Sequence, residues 1–354
     1  MTEIVSTTTL TSSPEWKLEP EVDGVDLKIK ASGPDSISID EVNAEVSSDK
    51  VDLASAAEAT DEFEKDKVRY LEEFELAFEA SFQGEDEWVE VGTSKNQFYV
   101  TRAAPAVTPL YHTVVHLGCS NADGETTEAD IVDAVWALFS GRHVQRADGS
   151  SLSYYADYNT SNTTTATLLA DGDGQCGAWA KLFMDSLKSN GITRNDNYVI
   201  FRRTSLSEGL IVKNWTFTGS GTSGNTGYPY YGIPDSNFIG GTAYNWKWTE
   251  VHDNAGISGQ NVSNPASFFN NHQVILVDGT YYDPSYGITY TTDADFQANA
   301  IDGFYRIVTQ SVKEADVGID LNGNGNQTDT VNVPVIQFKT KPSTVEVTEQ
   351  KTTF

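Results

Sequence analysis

Cysteine is scarce in this chain: two residues in 354 are too few for a disulfide framework. Cationic side chains are scarce too, with 23 Lys and Arg against 51 Asp and Glu and a formal net charge of −28. Residues 1–100 hold 25 of the acidic and 8 of the basic side chains, so −17 of the total sits there. Such a field repels nucleic acid and anionic membrane, which sets both aside as partners, and it suits a salty medium or retention of cations. No apolar run approaches the ~20 residues of a membrane span, so no membrane insertion is expected. The opening MTEIVSTTTLTSSPEW has neither a basic region nor an apolar segment and does not read as a secretory signal. The compartment stays unassigned, and no repeat of fixed period is present.

What the chain does have begins with GDGQCGAWAKLFMDSLKSNG, residues 172–191. Trp179, Leu182, Phe183 and Leu187 fall on one stripe of a helix. Gly172 and Gly174 break the chain before it, and Lys188 followed by Gly191 supplies a stop. Cys176 then occupies the first turn, where unpaired backbone N–H groups and the positive end of the dipole favour the thiolate. The plainer alternative is a small buried core residue.

His272 follows Cys176 by ninety-six residues, within NNHQVILVDGTYYDPSYG, residues 270–287. Asp278-Gly279 between two apolar, β-rich runs predicts a two-residue hairpin. Opposed residues then sum to 557: Val277 faces Thr280, Val274 faces Asp283, and His272 faces Ser285. Alternation puts His272, Val274 and Leu276 on one face with Tyr281, Asp283 and Ser285. His272 and Asp283 become diagonal neighbours about 7–8 Å apart at Cα, within reach of a hydrogen bond. Pro284 keeps Asp283 extended.

A thiol at a helix N-terminus with a His/Asp pair on a hairpin is the nucleophile, base and orienter set of thiol acyl transfer. The order Cys, His, Asp, with GQC opening a helix and NH…YDPSYG on strands, resembles the transglutaminase-like superfamily of papain-type folds over residues 105–310. The resemblance implies an α+β fold, in which the cysteine helix packs on an antiparallel sheet. It also implies Cys176 as nucleophile, His272 as general base and Asp283 as orienter. The backbone N–H of Cys176 would be one oxyanion donor. Gln175 is either the second donor or an ordinary first-turn polar residue. Gly177 stands where animal transglutaminases carry an aromatic, and the His–Asp spacing is shorter than theirs. Both departures weigh against crosslinking and leave the thiol chemistry untouched. If Cys176 is catalytic, Cys119 has no partner and no disulfide is expected.

Residues 1–13 read as a disordered polar tail. Residues 14–104 alternate as strands in VDLKIKAS, EEFELAFEASF, EWVEVG and NQFYVT, with turns at Asp23-Gly24 and Gly84, which predicts an acidic β-sandwich-like domain. The stretch DEFEKDKVRYLEEFELAFEA also reads as a helix. AAPAVTP, residues 103–109, marks a boundary, so the catalytic domain is placed at 105–340 with a polar tail at 341–354. Thr127 and Asp130 form a capping-box-like start to a helix with Ile131, Val135, Leu138 and Phe139 as its stripe and Gly141 as its end. A Thr-rich loop leads to the Cys176 helix. Residues 219–248, rich in Gly and aromatics, read as a binding rim or as lid packing.

Three other groups compete for attention. His112, His116 and Cys119 sit in an apolar setting without a fourth ligand and read as core groups. His252-Asp253 is a rival base–carboxylate pair without hairpin geometry. In DLNGNGNQTD, Asp320, Asn322 and Asn324 followed by Gly325 match the first half of a calcium loop. Asn326 and Asp329 complete its oxygen set, while Val331 stands at position twelve in place of a bidentate Glu. The alternative there is a solvated turn. The function expected is thiol-dependent acyl transfer on a protein or peptide substrate, hydrolysis ahead of glutamine transamidation, with no cofactor required and calcium as a possible ligand. A non-catalytic binding or structural module that keeps the fold is the rival class.

Overall fold

Apolar and charged residues alternate along VDLKIKAS, which suits a strand buried on one side, and residues Val25–Ser32 form β1. It is followed by β2 (Ser38–Ser47), β3 (Lys50–Leu53), β4 (Arg69–Phe82) and β5 (Val89–Val100). The structure is a computed structural model that describes residues 25–34, 38–47, 50–53, 64–82, 84–157, 160–203, 208–212, 215–217, 230–233, 248–249, 251–253, 256–318, 320–341 and 347–353. The tail at 1–13, the Asp23-Gly24 turn and most of the 219–248 segment lie outside the described residues.

The chain divides into two compact units. The first takes residues 1–110, 115–134 and 189–192. Its five strands make one antiparallel sheet in the order β3-β2-β1-β4-β5. The expected sandwich is therefore corrected: among the described residues of this unit there is one sheet, because alternation reports a half-buried face and not how many sheets share it. The helix alternative for the Glu-rich stretch also fails, since its second half is β4, held by ladders to β1 and β5 on either side. The Val68 amide donates to the Glu125 carbonyl at 2.9 Å, and the Gly124 amide to the Val68 carbonyl at 2.8 Å. YHTVVHLGC is helical, α1 (His112–Cys119). There His116 Nδ1 lies 3.2 Å from the Tyr99 hydroxyl, and Cys119 is buried. His116 is half-buried and His112 is exposed, so of the three residues read as core groups only Cys119 is one.

The second unit takes residues 111–114, 135–188 and 193–354. Its elements include part of α2 (Glu128–Ser140), then β6 (Ser153–Tyr154), α3 (Thr165–Asp171), β7 (Asp173–Gly174) and α4 (Cys176–Ser189). Next come β8 (Tyr198–Arg203), β9 (Glu208–Val212), β10 (Trp215–Phe217), β11 (Tyr230–Ile233), β12 (Trp248–Thr249), β13 (Val251–Asp253) and β14 (Phe268–Phe269). The chain continues with β15 (Asn271–Val277), β16 (Thr280–Asp283), β17 (Ile288–Tyr290), α5 (Asp293–Asn299), β18 (Ile301–Lys313), α6 (Glu314–Val317), β19 (Thr330–Thr340) and β20 (Val347–Thr352). One antiparallel sheet runs β17-β16-β15-β8-β20, and a second runs β12-β11-β19-β18-β9-β14. The protein is mixed α+β with mostly antiparallel sheets.

Two further expectations change. The segment 341–354, read as a polar tail, contains β20, which pairs with β8 from Val347↔Arg203 to Thr352↔Tyr198. Its burial is slight, so no apolar alternation announced it; the main-chain ladder holds it. The Thr-rich loop before Cys176 contains α3, started by a capping box between Thr164 and Thr167.

Helix α4 is where sequence and packing agree most closely. Trp179, Leu182, Phe183 and Leu187 are all fully buried, each contributing about 1.5–3 kcal/mol relative to exposure. Phe183 meets Phe139 of α2 edge-on at 5.1 Å and Tyr282 of β16 at 5.4 Å, while Trp136 meets Tyr282 at 4.9 Å. These rings fix the cysteine helix against the strand that ends in Asp283.

Candidate active site

The approach to Cys176 is built by backbone. Gly172 closes α3 at φ 81°, a conformation that favours glycine. Asp173-Gly174 then pairs in parallel with Ser153-Tyr154, and the chain enters α4 at Cys176. The Trp179 indole N–H donates to the Ser153 carbonyl at 3.2 Å, tying the helix to the same strand pair. Asp173 accepts the amides of Ala156 and Asp157 at 2.9 and 3.0 Å. Cys176 is the first helical residue and is 4% exposed.

The hairpin forms as its register requires. Asp278 (φ 48°) and Gly279 (φ 90°) make the turn, and Val277↔Thr280, Leu276↔Tyr281 and Ile275↔Tyr282 are opposed. Strand β16 ends at Asp283, however, and residues 284–287 form a turn. Ser285 therefore lies in that turn and not across from His272. The reason is local: Asp283 Oδ1 accepts the amides of Ser285 and Tyr286 at 3.1 and 3.4 Å, folding the chain back on the carboxylate. Fully buried Gln260 holds the turn from the other side, donating to the Phe139 and Pro284 carbonyls at 2.6 and 2.7 Å.

His272 and Asp283 are both fully buried, and His272 Nε2 lies 2.7 Å from Asp283 Oδ2. Burial pulls the imidazolium pKa down; the charge and hydrogen bond of Asp283, and then Cys176, outweigh it and leave His272 above its ordinary value. Nδ1 is buried and has no hydrogen-bond partner within ordinary limits. With Nε2 taken by Asp283, it is the nitrogen left for the Cys176 thiol, the group whose proximity helps raise the ring. The three sequence-predicted residues thus come together. No family model matches this chain. No curated protein and no solved structure matches it either.

The remaining candidates separate from this centre. Gln175 turns its carboxamide to the Thr160 carbonyl, donating at 2.6 Å, while its own carbonyl accepts the amides of Ala178 and Trp179. His252 and Asp253 lie on β13, paired with β10. In the Asp320 loop, Asp320 accepts the amides of Gly323, Asn324 and Gly325, and Asp329 accepts the side-chain amides of Asn322 and Asn324. Asn326 Oδ1 caps the Thr328 amide at 3.1 Å. Buried Glu314 receives the amides of Leu321 and Asp329 and staples both ends of the loop. Among the described residues, no group of three His, Cys, Asp or Glu is placed to hold a metal ion, and no helix is long and apolar enough to cross a membrane.

Sequence reasoning passed over Gln260, Gln273 and Tyr198. Gln273 follows His272 on β15, and its Oε1 accepts the Tyr198 hydroxyl. A Cβ on Gly177 would overlap Gln273 Oε1 and lie 3.2 Å from the Tyr198 oxygen. Gly177 was the available signal: a glycine directly after a helix-borne cysteine marks a close approach from elsewhere in the chain.

Proposed function

We propose that this chain is a thiol-dependent acyl transferase acting on amides of proteins or peptides, with a papain-like, transglutaminase-like arrangement of Cys176, His272 and Asp283. The observation that carries the reading is the buried His272, held by Asp283 through Nε2 and left with Nδ1 for a thiol at a helix N-terminus. In the first half-reaction the Cys176 thiolate attacks the amide carbonyl carbon and an S–C bond forms. The C–N bond breaks, and the leaving nitrogen takes the proton from His272 Nδ1. In the second, His272 accepts a proton from water, the hydroxide adds to the thioester, and acid and thiolate are released. A primary amine in place of water gives transamidation through the same acyl-enzyme. Hydrolysis is preferred because Gly177 replaces the aromatic found in animal transglutaminases.

The experiment is incubation of the purified chain with a glutamine-containing peptide and a primary amine, with free acid and amide product measured by mass spectrometry. Acid supports hydrolysis, amide supports transamidation, and neither product from a panel of peptides moves the chain to a non-catalytic binding or structural role. Calcium takes no part in this chemistry. The Asp320–Asp329 loop, whose carboxylates accept amides of the loop itself, stands apart from it.

A further inference from the structure

An acyl-transfer site needs two oxyanion donors; the Cys176 N–H at the start of α4 serves as one, and the Gln175 side-chain amide is turned away to the Thr160 carbonyl. In a helix both the N–H groups and the Cα–Cβ bonds point towards the N-terminus. The space that a Cβ on Gly177 would enter therefore lies in front of α4, beside the nucleophile. That space is filled by Gln273 Oε1 and, 3.2 Å from the Cβ position, the Tyr198 hydroxyl. We propose that Tyr198 is the second oxyanion donor of this site, aimed by Gln273 and admitted by Gly177. The inference rests on the acyl-transfer reading above.

The hydrogen bonds favour Tyr198 over its neighbour. Gln273 Nε2 donates to Asn271 Oδ1 at 2.8 Å, so the face Gln273 turns to Tyr198 is its acceptor oxygen. An acceptor cannot stabilise an oxyanion; the hydroxyl it orients can. Tyr198 opens β8, opposite Ile275 of β15 and Thr352 of β20, so its backbone is fixed by ladders on both sides. The residue is half-buried. Burial also raises its pKa, so the phenol stays protonated and remains a donor. As the tetrahedral intermediate forms, the developing oxyanion becomes a stronger acceptor than the neutral Gln273 carbonyl and draws the hydroxyl to itself.

Tyr198→Phe tests this directly, with peptide hydrolysis, iodoacetamide labelling of Cys176 and a melting curve measured on the same full-length protein. Loss of one oxyanion donor predicts a fall in kcat of about 10²–10³-fold with KM little changed. The rate and pH profile of Cys176 alkylation, which forms no oxyanion, should remain as in the wild type, as should the melting temperature. Gly177→Ala, whose methyl would overlap Gln273 Oε1 and so displace the acceptor that aims the Tyr198 hydroxyl, should reproduce the kcat loss while Cys176 still alkylates. A kcat in Tyr198→Phe within twofold of wild type overturns the assignment and leaves the triad standing. So does a parallel loss of alkylation and melting temperature, which marks a structural role. Wild-type protein with neither turnover nor Cys176 labelling refutes the acyl-transfer reading itself.

Discussion

Two aspartates follow His272 closely, and the structure separates their roles enough to set Asp278→Asn against Asp283→Asn. Asp278 sits in the hairpin turn, its side chain 64% exposed, bound by Arg194 through two hydrogen bonds of 2.8 and 2.9 Å. An exposed ion pair of this kind is worth about 0–1 kcal/mol, and Asn tolerates the left-handed backbone that the turn demands. Asp278→Asn should therefore lower the melting temperature by no more than about 4 °C and leave kcat unchanged. Asp283→Asn acts on the imidazole. The new side chain keeps an oxygen for the Ser285 and Tyr286 amides, which turns its N–H₂ towards His272 Nε2. That nitrogen must then become an acceptor, and the ring's proton moves to Nδ1, where a base should be empty. Loss of the corresponding carboxylate in a serine protease costs about 10⁴ in kcat, equivalent to roughly 5.4 kcal/mol of transition-state stabilisation. We expect a loss approaching that size, tempered by the greater intrinsic reactivity of a thiolate. The assay is initial-rate peptide hydrolysis at several pH values, paired with thermal melting. If Asp278→Asn abolishes turnover and Asp283→Asn spares it, the hairpin register argument is wrong.

Three further outcomes follow from the same geometry. Burial pushes the Cys119 thiol up to about 12, so iodoacetamide at pH 6 should label Cys176 and spare Cys119; equal labelling of the two by peptide mapping would remove the case for an activated Cys176. His272 has a raised folded-state pKa, so its pairing with Asp283 contributes stability that is fully present below about pH 6.5 and fades as pH rises through the folded value. The melting-temperature gap between wild type and Asp283→Asn should accordingly be widest near pH 5 and narrow above pH 7, and a gap that widens with pH contradicts the ion pair. If the Asp320 loop takes calcium, the cation at about 100 times its Kd should stabilise the protein by about 2.7 kcal/mol, an effect absent in Asp320→Ala; melting curves indifferent to calcium and chelator dismiss the cation.

What was legible in the sequence was what depends on near neighbours. The α4 stripe and the Asp278-Gly279 turn each need only a dozen residues to declare themselves, and together they bring Cys176, His272 and Asp283 to one centre. The turn at 284–287 escaped because the Asp283 side chain, not the strand pattern, decides where β16 stops. Helix α3 was hidden because its capping box uses Thr167 at the position where Glu or Gln is the usual signal. Tyr198 bonds Gln273 75 residues away, and Gln260 bonds Pro284 and Phe139 24 and 121 residues away, so only the assembled fold reveals them.

The final strand has a practical consequence. β20 gives β8 its second neighbour, and β8 carries Tyr198 at the end paired with Thr352. A chain cut back to residue 341 would leave β8 as a bare row of amides and carbonyls, open to strand addition from another molecule. Such trimming should yield oligomers as well as slower turnover.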